Sequence, residues 1–292
     1  MRVLVTGWPS FLHGEATAGD VLSMCRVCDA LGEWGIPCET AWSPRFLPSE
    51  RSLDDVDPAV YTHLVFACGP VTGDQVAALH ERFARCYRIA VGVSVVNPAD
   101  PAAVGFHRIL PRDGGAACHA DLADPADTTP VPVAGVVLAP SQREYGARGS
   151  HDRVHAVLDD WLSTLNAALL PLDTRLDTTD WQHHATPDQF TAVLRRLDVV
   201  VTTRMHGLVL AVRSGVPAIT VDPIDGGGKV TAQAAALRWP AVLGADEVNA
   251  ERLDTWWRWC LSGEAPEALR TAGGDTRLLE SLCGALRLEL AA

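Results

Sequence analysis

Lysine is almost missing from this sequence. It occurs once, at Lys229, in a chain of 292 residues that holds 24 Lys and Arg together. Arginine therefore carries nearly all the positive charge, so any single arginine is a weak clue and the one lysine a stronger one. Positive charge as a whole is in deficit, with 36 Asp and Glu giving a formal net charge of -12. That excludes an extended nucleic-acid surface, because phosphate backbones select basic proteins. It leaves room for a local basic pocket around a small anion. No apolar run reaches the length of about 20 residues that spans a bilayer. No leader-like segment opens the chain, so a cytoplasmic protein without membrane insertion is expected. Cys25 and Cys28 form a CxxC with no second CxxC among the eight cysteines, which favours buried, reduced thiols on one helix face over a redox or metal site. The first strand is followed by a long loop rather than GxGxxG, so a dinucleotide fingerprint is absent. His183-His184 lacks a matching ligand set, which argues against a metal. There is no internal repeat.

What is present is a regular alternation. Short Val- and Ile-rich runs at residues 2–6, 63–67, 88–95 and 108–110 predict strands, separated by amphipathic helices over 21–31 and 73–86. A further strand is expected over 37–42. After a stretch rich in Asp, Thr and Pro at 119–132 the same grammar resumes. Strands are expected over 133–139, 168–172, 199–201, 216–221 and 241–243, the one at 168–172 buried. The helices between and after them fall over 153–166, 187–197, 207–213, 230–237, 253–261 and 276–290, the second opened by Thr186-Pro187. Strand–helix alternation implies parallel sheets. The expected architecture is α/β with two domains, residues 1–130 and 131–292.

The most chemically loaded unit is 197–229, LDVVVTTRMHGLVLAVRSGVPAITVDPIDGGGK. Arg204 and His206 fall where a strand feeds a helix N-terminus, the place where α/β folds bind anions. A cation beside free helix N–H groups suits a phosphate or carboxylate, and an imidazole there can act as general acid or base. An ordinary histidine satisfied by backbone is the plainer alternative for His206, as is a solvated surface lysine for Lys229. Lys229 follows Gly226–Gly228 and ends a loop after the next strand, so it should face the same crevice. Arg112 and Arg143 also follow strand ends and are candidates for an anion clamp or for simple surface turns. Gly19-Asp20 opens a helix, where Asp20 would serve as N-cap. Trp256 and Trp259, three apart, are expected to pack one helix face against the body.

With those residues in view, DVVVTTRMHGLVLAVRSGVPAITV resembles the signature of the polysaccharide pyruvyl transferase family: apolar strand, Arg-x-His, a small residue, helix, Gly-Val-Pro and strand. Lys229-Val230 is similar to the lysine element that follows in that family, although Gly226–Gly228 and Ile224-Asp225 depart from its usual spacing. Gly19-Asp20, LPRDGG at 110–115 and ADLADPA at 120–126 are similar to further family elements and occur in the family's order. The resemblance implies two Rossmann-like domains arranged as in GT-B glycosyltransferases, with the active site in the interdomain cleft, the first domain serving the acceptor and the second the donor. It implies phosphoenolpyruvate as co-substrate, no cofactor and no metal, and ketal formation on a sugar-containing acceptor. His206 and Arg204 would be catalytic, and Lys229, Arg112, Arg143, Gly19 and Asp20 would bind substrate. A glycosyltransferase using a nucleotide-sugar, and a non-catalytic ligand-binding member, are the alternatives.

Overall fold

The computed structural model describes residues 1–125, 128–273 and 277–290. The chain divides into two compact units, Met1–Thr129 and Pro130–Ala292. Each is built on its own five-stranded parallel sheet.

In the first unit the order along the chain is β1 (Val3–Thr6), α1 (Ala18–Glu33), β2 (Cys38–Thr40), β3 (His63–Ala67), α2 (Asp74–Arg82), β4 (Tyr87–Ser94), α3 (Pro101–Val104) and β5 (Arg108–Asp113). The strands lie in the order β2-β1-β3-β4-β5. β1 and most of β3 are buried, as parallel strands covered on both faces must be. The core gathers Leu4, Leu64, Phe66, Val76 and Phe83. Helix α1 begins earlier than its hydrophobic pattern suggests. Thr17, not Asp20, is its N-cap: the Thr17 hydroxyl accepts from the Asp20 N–H at 3.2 Å and donates to the Asp20 carboxylate at 2.7 Å. Asp20 thus sits inside the first turn, its carboxylate accepting from the capping hydroxyl where negative charge suits the helix dipole.

In the second unit β6 (Val133–Val137), α4 (His151–Leu162), β7 (Ala168–Pro171), α5 (Pro187–Leu194), β8 (Val199–Thr202), α6 (Met205–Arg213), β9 (Ala218–Val221), α7 (Lys229–Leu237) and β10 (Val242–Leu243) alternate. They are followed by α8 (Ala250–Cys260), α9 (Ala265–Thr271) and α10 (Arg277–Leu290). The sheet order is β10-β9-β8-β6-β7. Strands β8 and β9 are wholly buried, and the core collects Leu158, Phe190, Leu194, Leu208, Ile219 and Leu253. The chain enters the sheet at β6, runs outward to β7, then crosses back to β8 on the other side of β6. That reversal creates a crevice beyond the carboxyl ends of β6 and β8, the place where open α/β sheets hold ligands.

Three further expectations are corrected. Strand β7 is exposed along its length, because it is the sheet edge. Cys25 is exposed and Cys28 only half-buried, so the CxxC helix face is not sealed in the core. Burial and the neighbouring Cys38 push the Cys28 thiol up to about 12, which keeps it protonated. The strand expected over 108–110 continues to Asp113 and takes Arg112 with it. The tryptophans pack as anticipated: Trp256 and Trp259 meet edge to face at 5.5 Å, and Trp259 meets Trp239 in the same manner. The start of the last helix at Thr276 and the end of the ADLADPA element at Ala126 lie outside the described residues. Among the described residues no helix is long and apolar enough to cross a membrane.

Candidate active site

The polar turn after β8 is fastened to β6. Thr202, fully buried, donates its hydroxyl proton to the Val137 carbonyl at 2.8 Å and accepts from the Arg204 N–H at 2.9 Å. The Thr203 hydroxyl accepts from the Ala139 N–H at 2.8 Å. These bonds fix the direction in which the chain leaves the strand and so aim the two residues that follow. Arg204 is the N-cap of α6 and its guanidinium pairs with the Asp173 carboxylate. The pair is partly exposed, so its worth to stability is at most about 1 kcal/mol, and its main effect is to orient the guanidinium. His206 lies in the first turn of α6 with its side chain exposed. The small residue after Arg-x-His has a steric reason. A Cβ on Gly207 would overlap the Thr202 hydroxyl and come within 3.0 Å of Thr202 Cβ and 3.2 Å of Val137 Cγ1.

Lys229 is positioned by a buried carboxylate. Asp222, at the carboxyl end of β9, has no exposed surface. Its Oδ2 accepts from the Gly228 N–H at 2.7 Å, the Thr231 N–H at 2.8 Å and the Thr231 hydroxyl at 2.8 Å, and its Oδ1 accepts from the Ile224 N–H at 3.2 Å. Asp222 therefore caps α7 from outside the helix and satisfies N–H groups that a helix cannot satisfy itself. Gly226 and Gly227 take φ of +77° and +84°, the left-handed region that glycine enters without strain. The glycine run that departs from the family spacing is thus the turn that returns the chain to Asp222. Ile224-Asp225 anchors that turn: the Asp225 N–H donates to the Arg148 carbonyl at 2.8 Å, and the Ser150 hydroxyl donates to the Asp225 carboxylate at 2.8 Å. The Lys229 ammonium stands 5.8 Å from the centre of the Tyr145 ring, within cation–π range.

Arg204, His206 and Lys229 line one cavity of about 190 Å³ together with Gln142, Thr203 and His151. His151, the first residue of α4, is 3% exposed, and neither ring nitrogen has a hydrogen-bond partner in the structure. Burial pulls its pKa below the ordinary histidine value. His155, one turn further along α4, is also pulled down by burial, and its Nε2 lies 3.4 Å from the Thr203 hydroxyl. The arrangement offers an anion two cations, the N–H groups of the α6 first turn and two imidazoles in different surroundings.

The remaining sequence candidates fall elsewhere. Arg143 is exposed in a tight turn over 143–148, and its neighbour Gln142 reaches the cavity instead. Arg112 lies in the first unit with its guanidinium engaged. It donates from Nε to Asp113 at 2.9 Å, pairs with Asp121, and donates to the Ser94 hydroxyl at 2.8 Å. These bonds, that to Asp113 foremost, raise its pKa. Gly19 and Asp20 occupy the first turn of α1 in the same unit. Asp173, His151 and Asp222 were not singled out from the sequence. Asp222 had a usable signal, a carboxylate closing an apolar strand just before a glycine loop; the others had none. Among the described residues no cluster of three or more His, Cys, Asp or Glu could hold a metal ion.

The fold and the cavity define an α/β protein of two Rossmann-like units with a pocket lined by Arg204, His206 and Lys229 at the carboxyl ends of β6, β8 and β9. The sequence model of the polysaccharide pyruvyl transferase family matches residues 158–225, a span that includes Asp173, Arg204, His206 and Asp222, so the resemblance read from the sequence is upheld there. No curated protein matches the chain. Among solved structures, E. coli heptosyltransferase WaaC with ADP is similar at 16% identity, covering 89% of this chain and 100% of its own, with a TM-score of 0.30. Acinetobacter baumannii MurG is similar at 13% identity, covering 96% and 98%, with a TM-score of 0.34. The glycosyltransferase SnogD from Streptomyces nogalater is similar at 13% identity, covering 93% and 94%, with a TM-score of 0.31.

Proposed function

We propose that the chain is a pyruvyl transferase that moves the three-carbon unit of phosphoenolpyruvate onto two hydroxyls of a sugar-containing acceptor, forming a ketal and releasing phosphate. The observation that carries this reading is the convergence of Arg204, His206 and Lys229 on one cavity of about 190 Å³ inside a unit whose central segment matches the family. Pockets for drug-sized ligands run from about 300 to 1,000 Å³. A cavity below that range suits a compact, doubly anionic three-carbon acid better than a nucleotide-sugar.

The chemistry assigns each group a task. His206 delivers a proton to the methylene carbon of the donor as an acceptor hydroxyl adds to the adjacent carbon. The C–O bond to phosphate then breaks with its electron pair leaving on phosphate, and a second hydroxyl closes the ketal. Of the two hydroxyl protons lost, one balances the proton placed on carbon and the other departs with phosphate. Arg204 and Lys229 hold the donor's carboxylate and phosphate and stabilise the charge that develops on the leaving group. Arg112 and Arg143 are further candidates for donor or acceptor contacts, and Gly19 and Asp20 for the acceptor. The reaction needs no cofactor beyond the co-substrate. The cytoplasm is the fitting compartment, since the donor is a metabolite of the cell interior.

The test is phosphate release from phosphoenolpyruvate, followed by phosphorus NMR across a panel of glycoside acceptors. His206→Asn should abolish release while circular dichroism stays unchanged; full activity would remove His206 as the acid. Lys229→Ala should raise the donor KM by tenfold or more. Thermal stabilisation by nucleotide-sugars and none by phosphoenolpyruvate would sink the reading in favour of glycosyl transfer.

A further inference from the structure

His151 is the one lining side chain that is almost wholly buried, titratable and unbonded at both nitrogens. Buried polar groups in folded proteins are nearly always paired, so an orphan calls for an explanation. An unpaired buried imidazole works against folding, because water is lost and nothing replaces it. The surroundings indicate what the missing partner is. Lys229 and Arg204 line the same space, and Met205 and His206, also lining it, belong to the α6 turn whose N–H groups have no intrahelical acceptor. The single carboxylate in the wall, Asp222, is already spent on four donors. Donors outnumber open acceptors around His151, so the empty position calls for an oxyanion.

We propose that His151 is a direct ligand of the bound substrate, donating a ring N–H to one of its oxyanion oxygens from the buried side of the cavity. This rests on the reading of the cavity as the donor site but not on the identity of the donor: any small phosphate or carboxylate would serve the contact. It also separates the two imidazoles. His206, exposed, is placed to move a proton, whereas His151, desolvated, is placed to bind. The charged and titratable groups that face His151 are Asp152 and His155 on its own helix, Glu144 in the preceding turn, Asp222 at the end of β9 and Lys229 at the start of α7. Burial dominates over them and keeps the empty site's ring neutral. An incoming dianion favours the protonated ring, so binding should take up protons when the pH lies between the ring's values in the empty and filled states.

The contact makes His151 a residue that function retains against stability, and this gives a test that a purely structural role would not pass. Inorganic phosphate and pyruvate serve as separate probes, so that the phosphate and the carboxylate are told apart. In wild type, adding the probe that occupies the site should shift the His151 ring signals in nitrogen-15 NMR. His151→Phe fills the same space without polar atoms. It should weaken binding of at least one probe by tenfold or more, while its Tm in anion-free buffer equals or exceeds that of wild type. His151→Gln, which restores an N–H, should recover part of the affinity. Affinities for both probes within twofold of wild type in His151→Phe would overturn the proposal. Should His151→Phe fail to fold, the wild-type titration decides: ring signals unmoved by both probes overturn it, and a shift supports it. Phosphate bound through His151 without turnover of phosphoenolpyruvate would defeat the functional reading and leave this one standing. Turnover with an indifferent His151 would do the reverse.

Discussion

Replacing Asp222 by alanine should cut the stability of the second unit and dismantle the cavity lined by Arg204, His206 and Lys229 together. The carboxylate is fully buried, and its Oδ2 alone receives the Gly228 N–H, the Thr231 N–H and the Thr231 hydroxyl. Each buried donor left without an acceptor costs about 1–3 kcal/mol, more where the lost partner was charged. Even at the low end of that range three of them sum to about 3 kcal/mol, well above the value of about 1 kcal/mol on which single-substitution losses centre. Asp222→Asn should be milder, at about 2 kcal/mol, because its single amide oxygen can face the three donors as a neutral acceptor while the NH2 opposes Ile224. Thr231→Val, losing one hydroxyl bond, should cost about 1 kcal/mol. Urea unfolding followed by circular dichroism gives the loss, provided the slope with denaturant is unchanged. Hydrogen exchange over residues 222–237 locates it, with protection lost first at Gly228 and Thr231. If the cavity holds phosphoenolpyruvate as proposed, affinity for it should fall as well, since Lys229 begins the helix that Asp222 caps. A loss below about 1 kcal/mol in Asp222→Ala, or unchanged protection at those two amides, would refute the capping argument.

Gly207→Ala drives a methyl group into Thr202 and Val137; overpacking of this kind costs about 1–3 kcal/mol, and because α6 must shift, phosphate release should drop more than stability does. Tm and turnover measured on the same sample check both. In the first unit, Glu39 is pulled from the ordinary 4.5 to about 2, chiefly by the Tyr61 hydroxyl at 2.7 Å and then by Arg2. Its folded pKa lies below its unfolded one, so its contribution is complete above pH 4.5 and fades as pH falls from there towards about 2. Glu39→Gln should flatten the acid unfolding curve of that unit over the same window; an unaltered curve would show the pairing to be idle.

Much of this molecule is legible in the sequence alone. Valine-rich runs such as those of β6 and β8 can only be strands covered on both faces, and their alternation with amphipathic helices leaves little but a parallel sheet. Arg204, His206 and Lys229 were readable as neighbours because they follow two strands that pair side by side and point the same way. Less was legible where direction depends on packing. Arg143 and Gln142 are adjacent, yet the tight turn sends only the second into the cavity. Cys25 shares a helix face with nothing that covers it, and the apolar run of β7 reads as buried although it forms the sheet edge.

The sequence by itself determined the α/β class, the two-part organisation and the strand-to-helix turn that carries Arg-x-His, because these depend on local periodicity, on turn residues and on the short connection between successive elements. Only the tertiary structure decided that β7 and β8 flank β6 on opposite sides. That crossing brings Asp173 to Arg204 from 31 residues away. The loops beyond the strand ends bring His151 and Lys229 to the same cavity. Contacts of this kind join segments whose own patterns carry no mark of one another. They arise because burying two faces of one sheet fixes which strand ends share a crevice.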